Sequence, residues 1–279
     1  MFDSASPSDR RLVPSYVRAK GIVHGRFERA GGVTRLVDNF ETGGLRLRLP
    51  NAGRECDAVL LNTAGGMTGG DESSLSFAVG AKARVRITTQ SAEKIYRADH
   101  APAVVATELT LGEGASLTWI PQETILFDGS GLSRTLSAEM SASASLIILE
   151  MTVLGRVARG ERLTSGAFRD RWRIRRDGQL VFADDVRLEG DISSVMAKPV
   201  TGAGACAIGT LLYVSPAAEG RLESVRSALS QSKAACGASA WNGLFIARFA
   251  ARDPFDVRRA VVTALQRLSR TEMPKIWSI

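Results

Sequence analysis

Histidine is almost missing from this chain: His24 and His100 are the only two in 279 residues. Cysteine is scarce too. Cys56, Cys206 and Cys236 are odd in number, far apart, and form no C-x-x-C pair. Such a chain cannot build a conventional tight zinc or nickel site from its own nitrogen and sulfur donors. Metallohydrolases and Ser-His-Asp hydrolases are disfavoured for the same reason. A disulfide framework is disfavoured as well, which fits a reducing cytoplasm. Aromatics make up only 6% of residues, which weakens any base-stacking role. No run approaches the roughly 18–20 apolar residues of a membrane span. Residues 1–11 are polar and lack the apolar core of a signal peptide. The expectation is a soluble, cytoplasmic protein with neither nucleic acid nor membrane as partner.

What is present is ordinary in amount. Apolar residues are 44%, as in soluble globular domains. Basic residues exceed acidic ones by 36 to 29, a net +7 that suits an acidic partner without the concentrated basicity of a nucleic-acid binder. Residues 1–14 read as a tail of Ser, Pro, Asp and Arg. No Pro-, Gly- or Ser-rich linker divides the remainder, so 15–279 read as a single domain.

From residue 18 the pattern is strand after strand. Residues 21–28 and 33–40 flank Gly31-Gly32 as a hairpin. Leu45-Arg46-Leu47-Arg48-Leu49 alternates, with one face to bury and one carrying arginines. Further strands are expected at 58–62, 74–79, 83–89, 104–111, 116–120, 124–127, 132–140 and 146–154. Three of them share the pattern A-x-[LV]-x-[IW], starting at Ala83, Ala115 and Ala144. A period near thirty residues is the signature of stacked strand units, a β-solenoid or a long β-sandwich. Helix is expected only in the C-terminal third. One helix is placed over 221–236, and a second starts at Asp253-Pro254 with Val257, Val261, Leu265 and Leu268 on one stripe. The predicted fold is mainly β: an elongated, β-helix-like body with two helices near its end.

The most unusual stretch is Leu60-Leu61-Asn62-Thr63-Ala64-Gly65-Gly66-Met67-Thr68-Gly69-Gly70-Asp71. Two Gly-Gly pairs permit positive φ and close backbone approach. A phosphate cradle is disfavoured: no Lys-Ser or Lys-Thr follows, and Asp71-Glu72 puts negative charge where an anion would sit. A tight turn and a turn that aims Asp71 at a ligand both remain open.

Two other features stand out. Glu150 interrupts the apolar run 146–154, where an unpaired carboxylate is costly. It lies either on the solvent face of an edge strand or in a polar interior channel. Arg169, Arg171, Arg173 and Arg175 fall at every second position, which puts four guanidinium groups on one strand face, solvated or docked to an acidic protein. The acidic segment behind them holds Asp184-Asp185, Glu189 and Asp191.

The glycine stretch resembles the LLNPxGGxxGGD signature of the UreD (UreH) family of urease accessory proteins, with Thr63 in place of proline. The match covers Asn62, Gly65, Gly66, Gly69, Gly70 and Asp71. Downstream, Thr89, Lys94 and Tyr96 match TTQxxxKxYR, and Pro121, Gln122 and Glu123 match WLPQExIxF. Glu93 is atypical within the first of these. Leu154-Gly155-Arg156 and the ending Pro274-Lys275-Ile276-Trp277 are also family-like, with Lys275 where PRxW has arginine.

The resemblance implies a non-enzymatic maturation factor. It would bind apo-urease with UreF and the GTPase UreG, and help deliver nickel through a channel. It also implies an elongated, mostly β-stranded body. Asp71, Glu150 and Asp184 match family acidic positions and are the expected nickel path. No resident cofactor is expected, only Ni²⁺ in transit. Cargo must bind weakly enough to leave, and isolated carboxylates hold a late transition metal more loosely than imidazole or thiolate.

Two rival classes stand beside this reading. A carboxylate-dependent all-β hydrolase would use Asp184/Asp185 or Asp71/Glu150. A binding module for an acidic polymer would use the arginine strand.

Overall fold

The computed structural model describes residues 18–51, 55–268 and 273–277. The expected tail, residues 1–14, lies outside them. The chain opens with β1 (Lys20–Ala30) and β2 (Val33–Thr42), an antiparallel hairpin turning at Gly31-Gly32. β3 (Leu45–Asn51) and β4 (Cys56–Asn62) form a second antiparallel pair. Then follow β5 (Glu72–Val79), β6 (Arg84–Thr89), β7 (Glu93–Ile95), β8 (Ala103–Leu111), β9 (Ser116–Trp119), β10 (Thr124–Leu126), β11 (Ser130–Met140), β12 (Ser145–Leu154) and β13 (Gly166–Arg176).

These strands wind as a solenoid. β5, β8, β11 and β13 stack in parallel in one sheet, with β1 parallel to β5. β4, β6, β9 and β12 stack in parallel in the facing sheet. The short β7 and β10 make a third parallel ladder that runs onto the end of β12.

The A-x-[LV]-x-[IW] repeat is the coil itself. Val85 pairs with Leu117 and Leu117 with Leu146; Ile87 pairs with Trp119 and Trp119 with Ile148. Identical positions of successive coils therefore stack, and their apolar side chains fill the space between the sheets together with Phe27, Phe77 and Trp172.

The C-terminal third caps this body. β14 (Gln179–Glu189) pairs antiparallel with β13 at the edge of the first sheet. The short α1 (Ile192–Ala197) follows, with Asp191 as its N-cap. β15 (Ala207–Val214) adds antiparallel to β12. After α2 (Leu222–Leu229), β16 (Ala235–Trp241) and β17 (Leu244–Ala251) complete the second sheet, and α3 (Pro254–Leu268) packs across its outer face.

The first C-terminal helix is thus shorter than the predicted 221–236. Beyond Leu229 the chain enters β16, where Cys236 pairs with Phe249 of β17; sheet pairing overrides the helical propensity of the alanines. β15 and α1 were not anticipated.

β12 owes its apolar run to burial on both faces. Leu146 and Ile148 point into the solenoid, while Ile147, Leu149, Met151 and Val153 pack beneath α2 and α3 with Val225, Val261 and Leu265. A strand covered on both sides cannot show simple alternation.

Candidate functional site

The coils are interrupted at one shared place. β6 stops at Thr89 and resumes as β7 at Glu93; β9 stops at Trp119 and resumes as β10 at Thr124. β12 runs straight through, pairing Ile148 with Trp119 and Thr152 with Thr124. Between these two pairs lies Glu150, with no strand partner on that side. Pro121 in the gap has no N–H to offer a ladder. The interruption leaves a cavity of about 70 Å³, lined among others by Thr89, Glu93, Gln122, Thr124, Arg134 and Glu150.

Glu150 is 6% exposed and shares the inward face of β12 with Ile148. Of the two readings open for it, the interior polar one is realised. Its Oε1 accepts a hydrogen bond from Trp119 Nε1 at 3.0 Å. Its Oε2 accepts from Arg134 Nη1. Arg134 lies on β11, whose register partner on β13 is Asp170. Arg134 Nη2 donates to Asp170 Oδ2 at 2.6 Å, and Trp172 Nε1 donates to Asp170 Oδ1 at 3.0 Å. Arg134 Nη1 also reaches Thr124 Oγ1 at 3.3 Å. When Glu150 is ionised, two carboxylates against one guanidinium leave this cluster with one excess negative charge. Among the described residues, the buried side-chain atoms of this region without a hydrogen-bond partner are Arg134 Nε and Gln122 Nε2.

Burial pushes the Glu150 carboxyl up to about 7; Asp170 adds to the rise, while Arg134 and the Trp119 hydrogen bond oppose it. Burial also works against the Arg134 charge, but Asp170 and Glu150 outweigh it and raise its pKa.

A second cavity of about 80 Å³ abuts the first, sharing Leu45, Leu60, Thr89 and Glu93, and extends to Gly65, Gly66 and Lys94. Here the scattered motifs converge. Asn62 Nδ2 donates to both oxygens of Glu93 at 3.2 and 3.1 Å, and its Oδ1 accepts from Ala64 N. Met67 N donates to Lys94 O, Tyr96 N donates to Met67 O, and Tyr96 Oη reaches Gly65 O. Gln122 N donates to Thr89 Oγ1, and Glu93 N to Glu123 O. Arg258 of α3 holds Gln122 Oε1 at 2.7 Å and Glu123 Oε2 at 2.9 Å. Its guanidinium stacks 4.7 Å from the ring of Trp277, whose Nε1 donates to Thr88 Oγ1. Burial raises the Glu93 pKa, with the Asn62 hydrogen bond and Lys94 opposing.

The remaining expected residues lie elsewhere. Asp71 is 7% exposed, but its carboxylate is taken up by backbone: Oδ1 accepts from Ala19 N at 2.9 Å and Oδ2 from Thr68 N at 2.8 Å. It lines neither cavity and serves the turn. Asp184 bridges the two sheets through Arg248 Nη2 at 2.7 Å. The neighbouring Asp185 pairs with Arg169 instead, so Asp184 and Asp185 do not form a joint acid pair. The four arginines of β13 do share one exposed or half-exposed face, opposite buried Phe168, Asp170, Trp172 and Ile174. Arg173 Nη1 donates to Asp184 O, and Arg175 Nη1 to Gly178 O. Arg134, Asp170 and Trp119 were not singled out from the sequence as site residues.

The family model described as UreD urease accessory protein matches residues 19–278. The chain belongs to the UreD family. It is 46% identical over 275 residues to urease accessory protein UreD 2 of Methylorubrum populi, covering 96% of this chain and 93% of that protein. It is 45% identical over 262 residues to urease accessory protein UreD of Beijerinckia indica, covering 93% and 97%. Three of the blocks that resemble UreD contribute lining residues to the two cavities: Asn62, Gly65 and Gly66 from the first, Thr89 and Lys94 from the second, Pro121 and Gln122 from the third.

The raised Glu150 pKa has a measurable consequence. The folded state holds its proton more tightly than the unfolded chain, whose glutamate titrates near 4.5. The contribution is therefore fully present below pH 4.5 and lost as pH rises through about 7. Between these limits the wild type should lose on the order of 3 kcal/mol relative to Glu150→Gln. Denaturant titrations across that range check this; parallel curves for the two proteins would contradict it. Asp185, whose pKa Arg169 lowers, acts in the opposite sense and at more acidic pH.

Proposed function

We propose that this chain is a urease maturation factor that binds apo-urease together with UreF and UreG and passes Ni²⁺ toward the urease active site. The observation that carries the reading is the convergence of the UreD-like motifs on two abutting cavities that end at a buried carboxylate. Glu93 and Glu150 are the acids that line them. The route is therefore assigned to these two rather than to Asp71 and Asp184. Carboxylates without imidazole or thiolate beside them suit cargo that must leave again. Glu150→Gln should keep partner capture intact yet lower the nickel content of co-expressed urease by about tenfold or more, a loss in line with removing a charged contact. Metal analysis of purified urease decides it, and full nickel loading by the variant would remove Glu150 from the route.

The arginine face of β13 is assigned to docking an acidic protein surface. Arg171→Glu with Arg173→Glu should weaken capture of apo-urease or UreF by at least tenfold at low salt, with a smaller effect as salt screens the contact. Both positions face outward, so the fold should survive. An unchanged pull-down at low and moderate salt would return this face to solvated surface.

A further inference from the structure

Arg134 occupies the oxygen of Glu150 that a passing cation would use. Taking Glu150 as a station for cationic cargo, as above, that station is closed in this structure by the chain's own guanidinium. The cluster is not built as a permanent lock. We propose that Arg134 is the positioning residue of the cation route: it pivots about Asp170, hands Nη1 from Glu150 to Thr124, and so opens the carboxylate to a divalent cation.

The asymmetry of the cluster supports the pivot. Asp170 is the fixed post. It is the register partner of Arg134, it receives Nη2 at 2.6 Å, and its other oxygen is tied to Trp172. Nη1, by contrast, already has a second acceptor in place, Thr124 Oγ1 at 3.3 Å. Glu150 does not depend on Arg134 for its position, because Trp119 Nε1 holds Oε1. Room exists as well: Arg134 and Thr124 both line the cavity of about 70 Å³, and Arg134 Nε has no partner. A guanidinium meant only to brace a core would have its donors matched, since an unmatched buried donor is costly.

The charge balance agrees. With Arg134 retained on Asp170, the freed Glu150 carries the excess negative charge and can face a dication directly. A monovalent ion attracts that carboxylate half as strongly and gains less by displacing the guanidinium. Arg134 thereby favours a divalent over a monovalent cargo.

The test uses the full chain and Ni²⁺ alone, by equilibrium dialysis above the Glu150 pKa of about 7. Glu150→Gln should lose the weak site. Thr124→Val removes the alternate acceptor and should weaken Ni²⁺ binding about tenfold, while Thr124→Ser, which keeps the hydroxyl, should bind as wild type. Arg134→Lys keeps a charge that can serve Asp170 but lacks the second arm, and should bind Ni²⁺ about tenfold more tightly. Unchanged binding by Glu150→Gln would overturn the station and the pivot together. Loss in Glu150→Gln with wild-type binding by Thr124→Val would overturn the pivot alone and leave the route standing. Thr124→Val is buried, conservative in shape and far milder than any change at Arg134, so the pivot remains testable should Arg134→Lys fail to fold.

Discussion

Gly66→Val should yield little or no soluble protein, and no urease activation where protein is recovered. Gly66 sits at φ +146°, a region closed to β-branched residues. A Cβ there would lie 2.5 Å from Tyr96 Cε2 and 2.7 Å from Lys94 O. The second of these is backbone, held by the Met67 N–H, and cannot give way without breaking the turn. Backbone strain alone costs about 1–3 kcal/mol, and the clash comes on top of it. Folded domains have only about 5–15 kcal/mol to lose. Gly69→Val meets a similar obstacle, since its Cβ would stand 2.5 Å from Ala101 O. Gly65 provides the control. It also has positive φ, +78°, but a Cβ there meets nothing within 4 Å. Gly65→Asn should therefore cost about 1 kcal/mol and leave the protein soluble. Soluble yield and thermal melting of the three variants decide the matter. Normal yield and full activation by Gly66→Val would mean that the turn is not needed in this form.

The same turn shows what the sequence made legible. The twofold Gly-Gly pattern pointed to close backbone approach, and the approach is made against Lys94–Tyr96, part of another motif block. The coil repeat was readable because stacking demands the same apolar parity in each turn: Val85, Leu117 and Leu146 had to match for the sheets to face each other. Glu150 was readable as a misplaced charge.

Its partners were harder to see because each sits inside a plausible alternation. Arg134 shares the buried parity of β11 with Leu132 and Leu136, and Asp170 shares that of β13 with Phe168 and Trp172. A charged residue on the apolar parity was the available signal in both strands. It was masked in β13 by the conspicuous arginines on the opposite face. Asp71 and Asp184, by contrast, lie away from the two cavities. Both are acids at prominent positions, but one satisfies backbone N–H groups and the other ties the sheets together, and neither role leaves a periodic trace. β16 and the shortened α2 depended on a pairing with β17 that local propensity does not encode.

The other large effect should come from Arg134→Met. Removing one member of a buried charge cluster costs about 3–5 kcal/mol, because the remaining charges stay desolvated without compensation. Here the loss leaves Glu150 and Asp170 inside one interior with no guanidinium between them, the first 6% and the second 8% exposed. Arg134 holds the Glu150 pKa down, so without it that carboxyl titrates higher still, and the variant should be strongly destabilised in denaturant titrations at alkaline pH, where Glu150 is ionised. Acid should rescue it in part. As pH falls, protonating Glu150 removes one of the uncompensated charges, so the gap to wild type should narrow. A neutral cluster separates charge from packing: Arg134→Met combined with Glu150→Gln and Asp170→Asn should regain much of the loss at the higher pH, since replacing an entire buried ion cluster is often close to neutral. If Arg134→Met alone stayed within about 1 kcal/mol of wild type across the alkaline range, the cluster could not be a desolvated ionic one. Water would then have to reach Glu150 freely, and the closed state of the cation station would have to be held by something other than Arg134.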